Sequence, residues 1–338
     1  MVSRNELPIV WILSTGGTIA GKGGSSMSLS DYKGGSLLGE ELVHSVPEIK
    51  QYANVNVEQV VNVGSQDITP AHWTKLANRI NAIFAHEPRV AGVVVTHGTA
   101  TLEETAYFLN LTVKHDRPVV LVGAQRPATA ISADGPLNLV NAIRTAGSPA
   151  ARGMGTLVVM NDEINCARDV TKSNTYRVET FRSGELGFLG YVDPDQVSFY
   201  RAPTKRHTAR SEFDIDANVT FPQVEILYSY VQPDVTMIRM LHEKGVKGIV
   251  FAGSGAGVIS QVEKDAVKEI LSSPPEFRPI IVRSNRTGNG RVIARKDFDV
   301  LEMIPADNLS PQKARILLML ALIKTADRAD IKRMFAEY

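Results

Sequence analysis

Short continuous runs of apolar, mostly β-branched residues recur along this chain, each followed by a longer amphipathic stretch. "PIVWILS" (8–14), "VNVEQVVNV" (55–63), "AGVVVTH" (91–97), "PVVLVG" (118–123) and "GTLVVM" (155–160) are spaced by helix-like segments near 70–86, 101–115 and 135–147. A strand that alternates apolar and polar residues has one wet face, whereas an unbroken apolar run is buried on both. Such strands, separated by helices, predict an α/β fold: a mostly parallel sheet with flanking helices.

The pattern lapses after about residue 200 into the polar "APTKRHTARSEFDIDANVTFP" and then resumes on a smaller scale. Strands are predicted at 223–230, 247–253 and 278–284, and helices near 234–244, 260–272 and 311–325. A chain of 338 residues also exceeds what one core usually supports. The predicted organisation is therefore a large domain over 1–203, a linker over 204–222, and a smaller α/β domain over 223–338. In "PQKARILLMLALIKT", Pro311 suits a first helical turn and apolar residues occupy most faces, so this helix should be well buried.

Composition narrows the partners. With 37 basic and 36 acidic side chains the formal net charge is +1, which supplies no broad field for nucleic acid or a membrane surface. One cysteine, Cys166, excludes an internal disulfide and a Cys-rich metal site, and packing is its expected role. No apolar run spans a bilayer, and "MVSRNELPIVWIL" lacks the parts of a signal peptide. Cytoplasmic placement is the expectation for the chain as written, and periplasmic placement if a leader has been removed.

In open parallel sheets ligands bind beyond the carboxyl ends of strands. The first strand ends in "STGGTIAG", a glycine pair that permits close backbone approach, flanked by the hydroxyls of Thr15 and Thr18. The next candidate, "THGTATLEET" (96–105), carries four threonines. Thr101 and Glu104 have the spacing of a capping box, which leaves Thr99 beside an exposed helix N-terminus. His97, alone at the end of an apolar strand, reads as a structural hydrogen-bonding residue rather than a catalyst. Gly64-Ser65-Gln66-Asp67 and Asn161-Asp162-Glu163 form further polar clusters at strand ends, the latter leading to Lys172. A threonine hydroxyl is a weak nucleophile until a base or hydroxyl network takes its proton, and two threonines with a lysine meet that need.

"TGGTIAG" (15–21), "GSQD" (64–67), "THGT" and "EET" within 96–105, "MNDEI" (160–164), "RDVTK" (168–172) and "P-KARILL-LAL" (311–322) together resemble the bacterial-type L-asparaginases, particularly the type II branch that includes asparaginase-glutaminases. The resemblance runs from about residue 8 to Tyr338. It implies hydrolysis of the asparagine side-chain amide to aspartate and ammonia through a threonine acyl-enzyme, with no metal or organic cofactor. Carried over by motif, Thr18 is similar to the nucleophile and Tyr32, in "LSDYKGG", to its activating hydroxyl. Thr99 and Lys172 resemble the coupled second pair. Gly17, Ser65, Gln66, Gly98 and residue 100 fall in the substrate-binding segments, with Ser65 and Gln66 matching those that hold the α-carboxylate and α-ammonium. The resemblance further implies a homotetramer in which a neighbour's C-terminal loop completes each site, here around "GSGAGVIS", with Ser260 as the candidate residue.

The chain departs from that family at one place. The family pattern has aspartate between the two threonines of T-H-G-T-D-T, and here residue 100 is alanine. In the family this aspartate accepts from the substrate ammonium and joins the network around the lysine. Loss of one charge-assisted hydrogen bond costs about 1.5–3 kcal/mol, or roughly 10- to 150-fold in rate. Turnover should be strongly reduced, and Lys172, buried without its carboxylate, should have a lowered pKa. An introduced substitution and a natural, non-catalytic amino-acid-binding homologue would both produce this pattern. A dehydrogenase is the other rival, because Gly253-Ser254-Gly255-Ala256-Gly257 follows a predicted strand, although its spacing is not that of the dinucleotide fingerprint.

Overall fold

The computed structural model describes residues 7–338. Residues 1–6, which begin the predicted first domain and the stretch read for a leader, lie outside the described residues. The chain divides between Ala217 and Asn218 into two units. Among the described residues no helix is long and apolar enough to cross a membrane.

In the first unit, β1 (Ile9–Ser14) is followed by a small antiparallel hairpin of β2 (Lys22–Gly23) and β3 (Tyr32–Lys33), a short helix α1 (Gly39–His44), and β4 (Asn54–Gln59). Then α2 (Pro70–His86), β5 (Val90–Thr96), α3 (Leu102–Thr112), β6 (Val119–Val122), α4 (Gly135–Gly147) and β7 (Thr156–Met160) alternate as the apolar pattern requires. The strands lie in the order β4-β1-β5-β6-β7, and every pairing among them is parallel. Leu139, Ile143 and Ala146 of α4 join Ile12, Val94, Val120 and Leu157 in one core. Residues alternate faces along a strand, and α2 and α3 lie against the strands and each other.

The sheet continues beyond β7 with strands too short to leave a periodic signal. β8 (Glu163–Cys166), β11 (Gly190–Val192) and β12 (Val197–Phe199) extend it antiparallel to eight strands, while β9 (Thr171–Lys172) and β10 (Phe181–Arg182) pair separately. Between β7 and β8 the turn residues Asn161 and Asp162 have φ of 53° and 63°. Two successive left-handed residues make the tight hairpin that matches strand twist. The polar cluster at 161–163 is therefore a turn, locked by hydrogen bonds from Asn141 Nδ2 to Asp162 Oδ1 at 2.7 Å and from the Asn161 amide to Asn138 Oδ1 at 2.9 Å.

Two boundaries differ from the sequence expectation. The strand predicted over 55–63 ends at Gln59, because the amides of Val60 and Val61 both turn to the Ser14 carbonyl, at 3.0 and 3.3 Å. Residues 204–217, read as linker, pack on the first unit. Phe213 is buried, Ser211 Oγ donates to the Leu111 carbonyl, and Lys114 Nζ reaches the Ser211 carbonyl at 2.7 Å and Asp214 at 3.0 Å. Polar residues there satisfy the end of α3, so polarity alone misstates their burial.

The second unit has a sheet in the order β13 (Val224–Tyr228), β14 (Gly248–Gly253), β15 (Ile280–Asn285), β16 (Ile304–Pro305), parallel throughout. Helices α5 (Thr236–Glu243) and α6 (Gln261–Leu271) pack on each other, and Ile238 and Val267 join Ile249 and Phe251 of β14 in one core. After the short α7 (Lys296–Asp299), α8 (Pro311–Lys324) begins with Pro311 in its first turn, capped by Ser310, and is buried from Ile316 to Ala321. The final helix α9 (Arg328–Glu337) was not anticipated in the sequence pattern.

Candidate active site

The strand register assembles the site. Ser14 of β1 stands beside Gln59 of β4 and Thr96 of β5, and Thr96 beside Val122 of β6. The segments after these residues, namely 15–21, 60–67, 97–101 and Gly123, therefore leave the sheet side by side at its carboxyl edge. This is the edge at which open parallel sheets place their ligands.

Gly17 brings two of these segments into contact. Its φ is 85°, and a Cβ there would lie 2.3 Å from both Cα and N of Gly98. No other residue type fits. Thr18 and Thr99, which directly follow these two glycines, are consequently held on neighbouring turns. Gly123, which sequence reasoning did not single out, has the same significance on the far side: a Cβ would lie 2.9 Å from the Thr99 methyl and from the His97 carbonyl oxygen.

Each turn carries one paired hydroxyl. Thr18 Oγ1 is 2.7 Å from the Tyr32 hydroxyl on the β2–β3 hairpin. That hairpin is tied back by the Gly35 amide, which donates to the Gly17 carbonyl at 2.9 Å. Lys172 Nζ donates to Thr99 Oγ1 at 2.7 Å. The Lys172 amide in turn donates to Oε2 of the buried Glu103 at 3.1 Å, so the first turn of α3 fixes the lysine backbone. Burial lowers the Lys172 pKa below its usual value, and no carboxylate counters it.

The remaining threonines of 96–105 have structural work. Thr96 Oγ1 donates to Ser14 Oγ at 3.0 Å. Thr101 is the residue before α3, as predicted, but no side-chain cap forms, and its hydroxyl donates instead to the Ser65 carbonyl at 2.6 Å. The predicted capping box with Glu104 is thus replaced by a tie between two site segments. Thr105 Oγ1 is 2.9 Å from His97 Nε2. Thr15, expected to present its hydroxyl with Thr18, donates it to the Thr96 carbonyl at 2.9 Å and is buried. His97 is fully buried, and desolvation lowers its pKa to about 4, so the ring is neutral.

Ser65 begins a short 3-10 turn, Ser65–Asp67, and its Oγ accepts from the Ala100 amide at 3.0 Å. Gln66 is exposed and folds over Gly64, with Nε2 donating to Asp67 Oδ2 at 2.9 Å, which leaves its Oε1 as an acceptor. Ala100 is exposed beside them and carries no acceptor in its side chain. Thr18, Tyr32, Thr99, Lys172, Gly17, Gly98, Ser65, Gln66 and Ala100 all fall on segments linked by these contacts.

Ser260 belongs to the second unit, where it caps α6. Its Oγ and amide both donate to Glu263 Oε2 at 2.7 Å. Asp297, in α7 of the same unit, holds Lys264 at 3.0 Å and Arg295 at 3.1 Å. The glycine-rich segment 253–257 closes on itself, with Ser254 and Val258 exchanging backbone hydrogen bonds of 2.9 and 2.8 Å. Those amides are committed within the loop, unlike the free amides of a phosphate-binding turn.

Residues 9–205 match the family model for the asparaginase N-terminal domain, and residues 223–335 that for the glutaminase/asparaginase C-terminal domain. The chain is 49% identical to L-asparaginase 2 of Bacillus subtilis over 99% of its own length and 88% of that protein. It is 44% identical to a glutaminase-asparaginase of Pseudomonas fluorescens, covering 99% of this chain and 92% of the relative. The crystal structure of a probable cytoplasmic L-asparaginase from Campylobacter jejuni superposes with a TM-score of 0.93 at 44% identity, covering 98% of this chain and all of that one. With both domain models matched in order and relatives aligned nearly end to end, the chain belongs to the asparaginase family.

Proposed function

We propose that this chain is an L-asparagine amidohydrolase with a glutaminase side activity, working through an acyl-enzyme on Thr18. The observation that carries the reading is the contact of Gly17 with Gly98, which sets two hydroxyl pairs, Thr18–Tyr32 and Thr99–Lys172, on adjoining turns. In the first step Thr18 Oγ1 attacks the amide carbon while its proton passes to the hydroxyl network at Tyr32. The tetrahedral adduct collapses, the nitrogen gains a proton and leaves as ammonia, and an aspartyl ester remains on Thr18. Water, deprotonated through Thr99 and Lys172, then cleaves the ester. A lysine whose pKa is lowered by burial suits this task better than an exposed one.

Ser65 and Gln66 are assigned to the α-carboxylate and α-ammonium, the ammonium meeting Gln66 Oε1, whose amide is polarised by Asp67. Ala100 offers nothing to the ammonium, so this chain is a slow member. One methylene changes binding by only about 1–3 kcal/mol, which is why glutamine is accepted as a minor substrate. We assign the chain to a homotetramer, with the segment ending at Ser260 meeting a neighbour's site.

Ala100→Asp tests the reading. Restoring a charge-assisted acceptor should raise ammonia release from asparagine by about 10- to 150-fold. Absence of a gain, with aspartate still bound in calorimetry, would favour an amino-acid-binding protein that has lost turnover.

A further inference from the structure

We infer that Trp73, Thr105 and His97 form a positioning relay for the acyl-transfer site, holding the Gly98–Thr99 peptide so that the Thr99 N–H faces the charge that develops during attack. The inference rests on the amidohydrolase reading and deepens it.

The direction of the relay follows from its ends. The indole Nε1–H of Trp73 is a donor only, and it lies 2.9 Å from Thr105 Oγ1. The Gly98 carbonyl is an acceptor only, and it lies 2.7 Å from His97 Nδ1. The proton of the neutral ring is therefore on Nδ1. Nε2 is then an acceptor, and the Thr105 hydroxyl, 2.9 Å away, must donate to it. Trp73 gives to Thr105, Thr105 to His97, and His97 to Gly98. Thr105 and His97 are fully buried and Trp73 is 4% exposed, so water does not compete for these bonds.

The far side of the peptide carries the consequence. The chain has no cis peptide bonds among the described residues, and in a planar trans peptide the carbonyl and the next amide point in opposite directions. With the Gly98 carbonyl drawn toward the buried imidazole, the Thr99 N–H is aimed away from it. No described group accepts from this amide, although Ala100 N–H, one residue on, is taken by Ser65. The unpartnered donor belongs to the residue after Gly98, which touches Gly17, and to the same threonine that Lys172 binds, so the oxyanion of an adduct on Thr18, the residue after Gly17, is assigned to it. Donors fixed in advance at such a point act on the transition state more than on the bound substrate.

Paired substitutions separate positioning from packing. An asparagine side chain reaches the place of Nδ1, and a glutamine that of Nε2. His97→Asn should keep the bond to Gly98 and retain kcat for asparagine within about threefold, whereas His97→Gln should lower kcat by about 10²-fold with KM little changed. Thr105→Val, nearly isosteric, should lower kcat in the same direction, and Thr105→Ser should restore it. Ammonia release and melting temperature are measured for all four in this chain and in its Ala100→Asp form. Equal kcat in the Asn and Gln variants, or losses that track melting temperature alone, would overturn the relay while leaving the function standing. No ammonia from either parent form would instead overturn the amidohydrolase reading and the relay's catalytic role with it.

Discussion

Thr18→Val is expected to abolish ammonia release, lowering kcat by about 10⁴-fold or more, because no other hydroxyl occupies its place to form the ester. The change is nearly isosteric at a half-buried position and removes one hydrogen bond, to Tyr32 at 2.7 Å. Binding of aspartate, which this account assigns to Ser65 and Gln66, should survive within a few-fold. The comparison is best made in both this chain and its Ala100→Asp form, where turnover is expected to be higher, with stopped assays for ammonia and calorimetry for aspartate. A valine variant retaining more than roughly a hundredth of the parent rate would move the nucleophile elsewhere.

Lys172→Met is expected to lower turnover by about 10²- to 10⁴-fold, the range lost with a general acid–base group, and at the same time to raise the melting temperature. The two effects have one cause. Lys172 is half-buried with no carboxylate at residue 100, and desolvation disfavours its ammonium. Its folded pKa is depressed below the ordinary lysine value of 10.5, so between the two values the unfolded chain binds a proton that the folded chain does not. Stability from this group is present above 10.5 and lost as pH falls through the folded pKa. The advantage of the methionine variant should therefore shrink as pH rises toward 10.5. Ala100→Asp puts a carboxylate next in sequence to the Thr99 that Lys172 binds; it should raise the lysine pKa and move the alkaline rise in activity to higher pH. A methionine variant with parental turnover, or one less stable than the parent at neutral pH, would contradict this role.

How much of this could be read beforehand is clearest at residues 96–105. The apolar run and the polar corner after it are local properties, and they locate β5, α3 and the edge where the site forms. Which threonine faces the site is not local. It depends on register: Thr96 meets Ser14 because β1 and β5 pair there, Thr101 meets Ser65 across a turn, and Thr105 meets His97 from inside α3. Only Thr99 is left for Lys172, 73 positions away, and a hydrogen bond of that separation has no signature in spacing.

The errors have the same origin. Asn161-Asp162 looks like other polar strand ends until the antiparallel return of β8 makes it a hairpin turn. The segment 204–217 looks like solvent-exposed linker, but its Ser211 hydroxyl donates to the Leu111 carbonyl of α3 and its Ser211 carbonyl accepts from Lys114 just beyond that helix, partners no window of sequence contains. Tyr32 was reached by family resemblance alone, since β2 and β3 are two residues each and show no period. Glu103 and Gly123 were not reached by either route. Glu103 could have been suspected as an acidic residue in an otherwise buried helical turn, but its bond to the Lys172 amide needs the folded chain.

The central claim is a covalent ester on Thr18, and the direct measurement is mass spectrometry of the intact chain, acid-quenched during hydrolysis of asparagine or of an aspartyl β-ester with a better leaving group. The account predicts an aspartyl mass increment that fragmentation assigns to Thr18 within residues 15–21 and that is absent after Thr18→Val. An increment on Thr99, or steady turnover with no increment on any residue under conditions that trap esters, would contradict it.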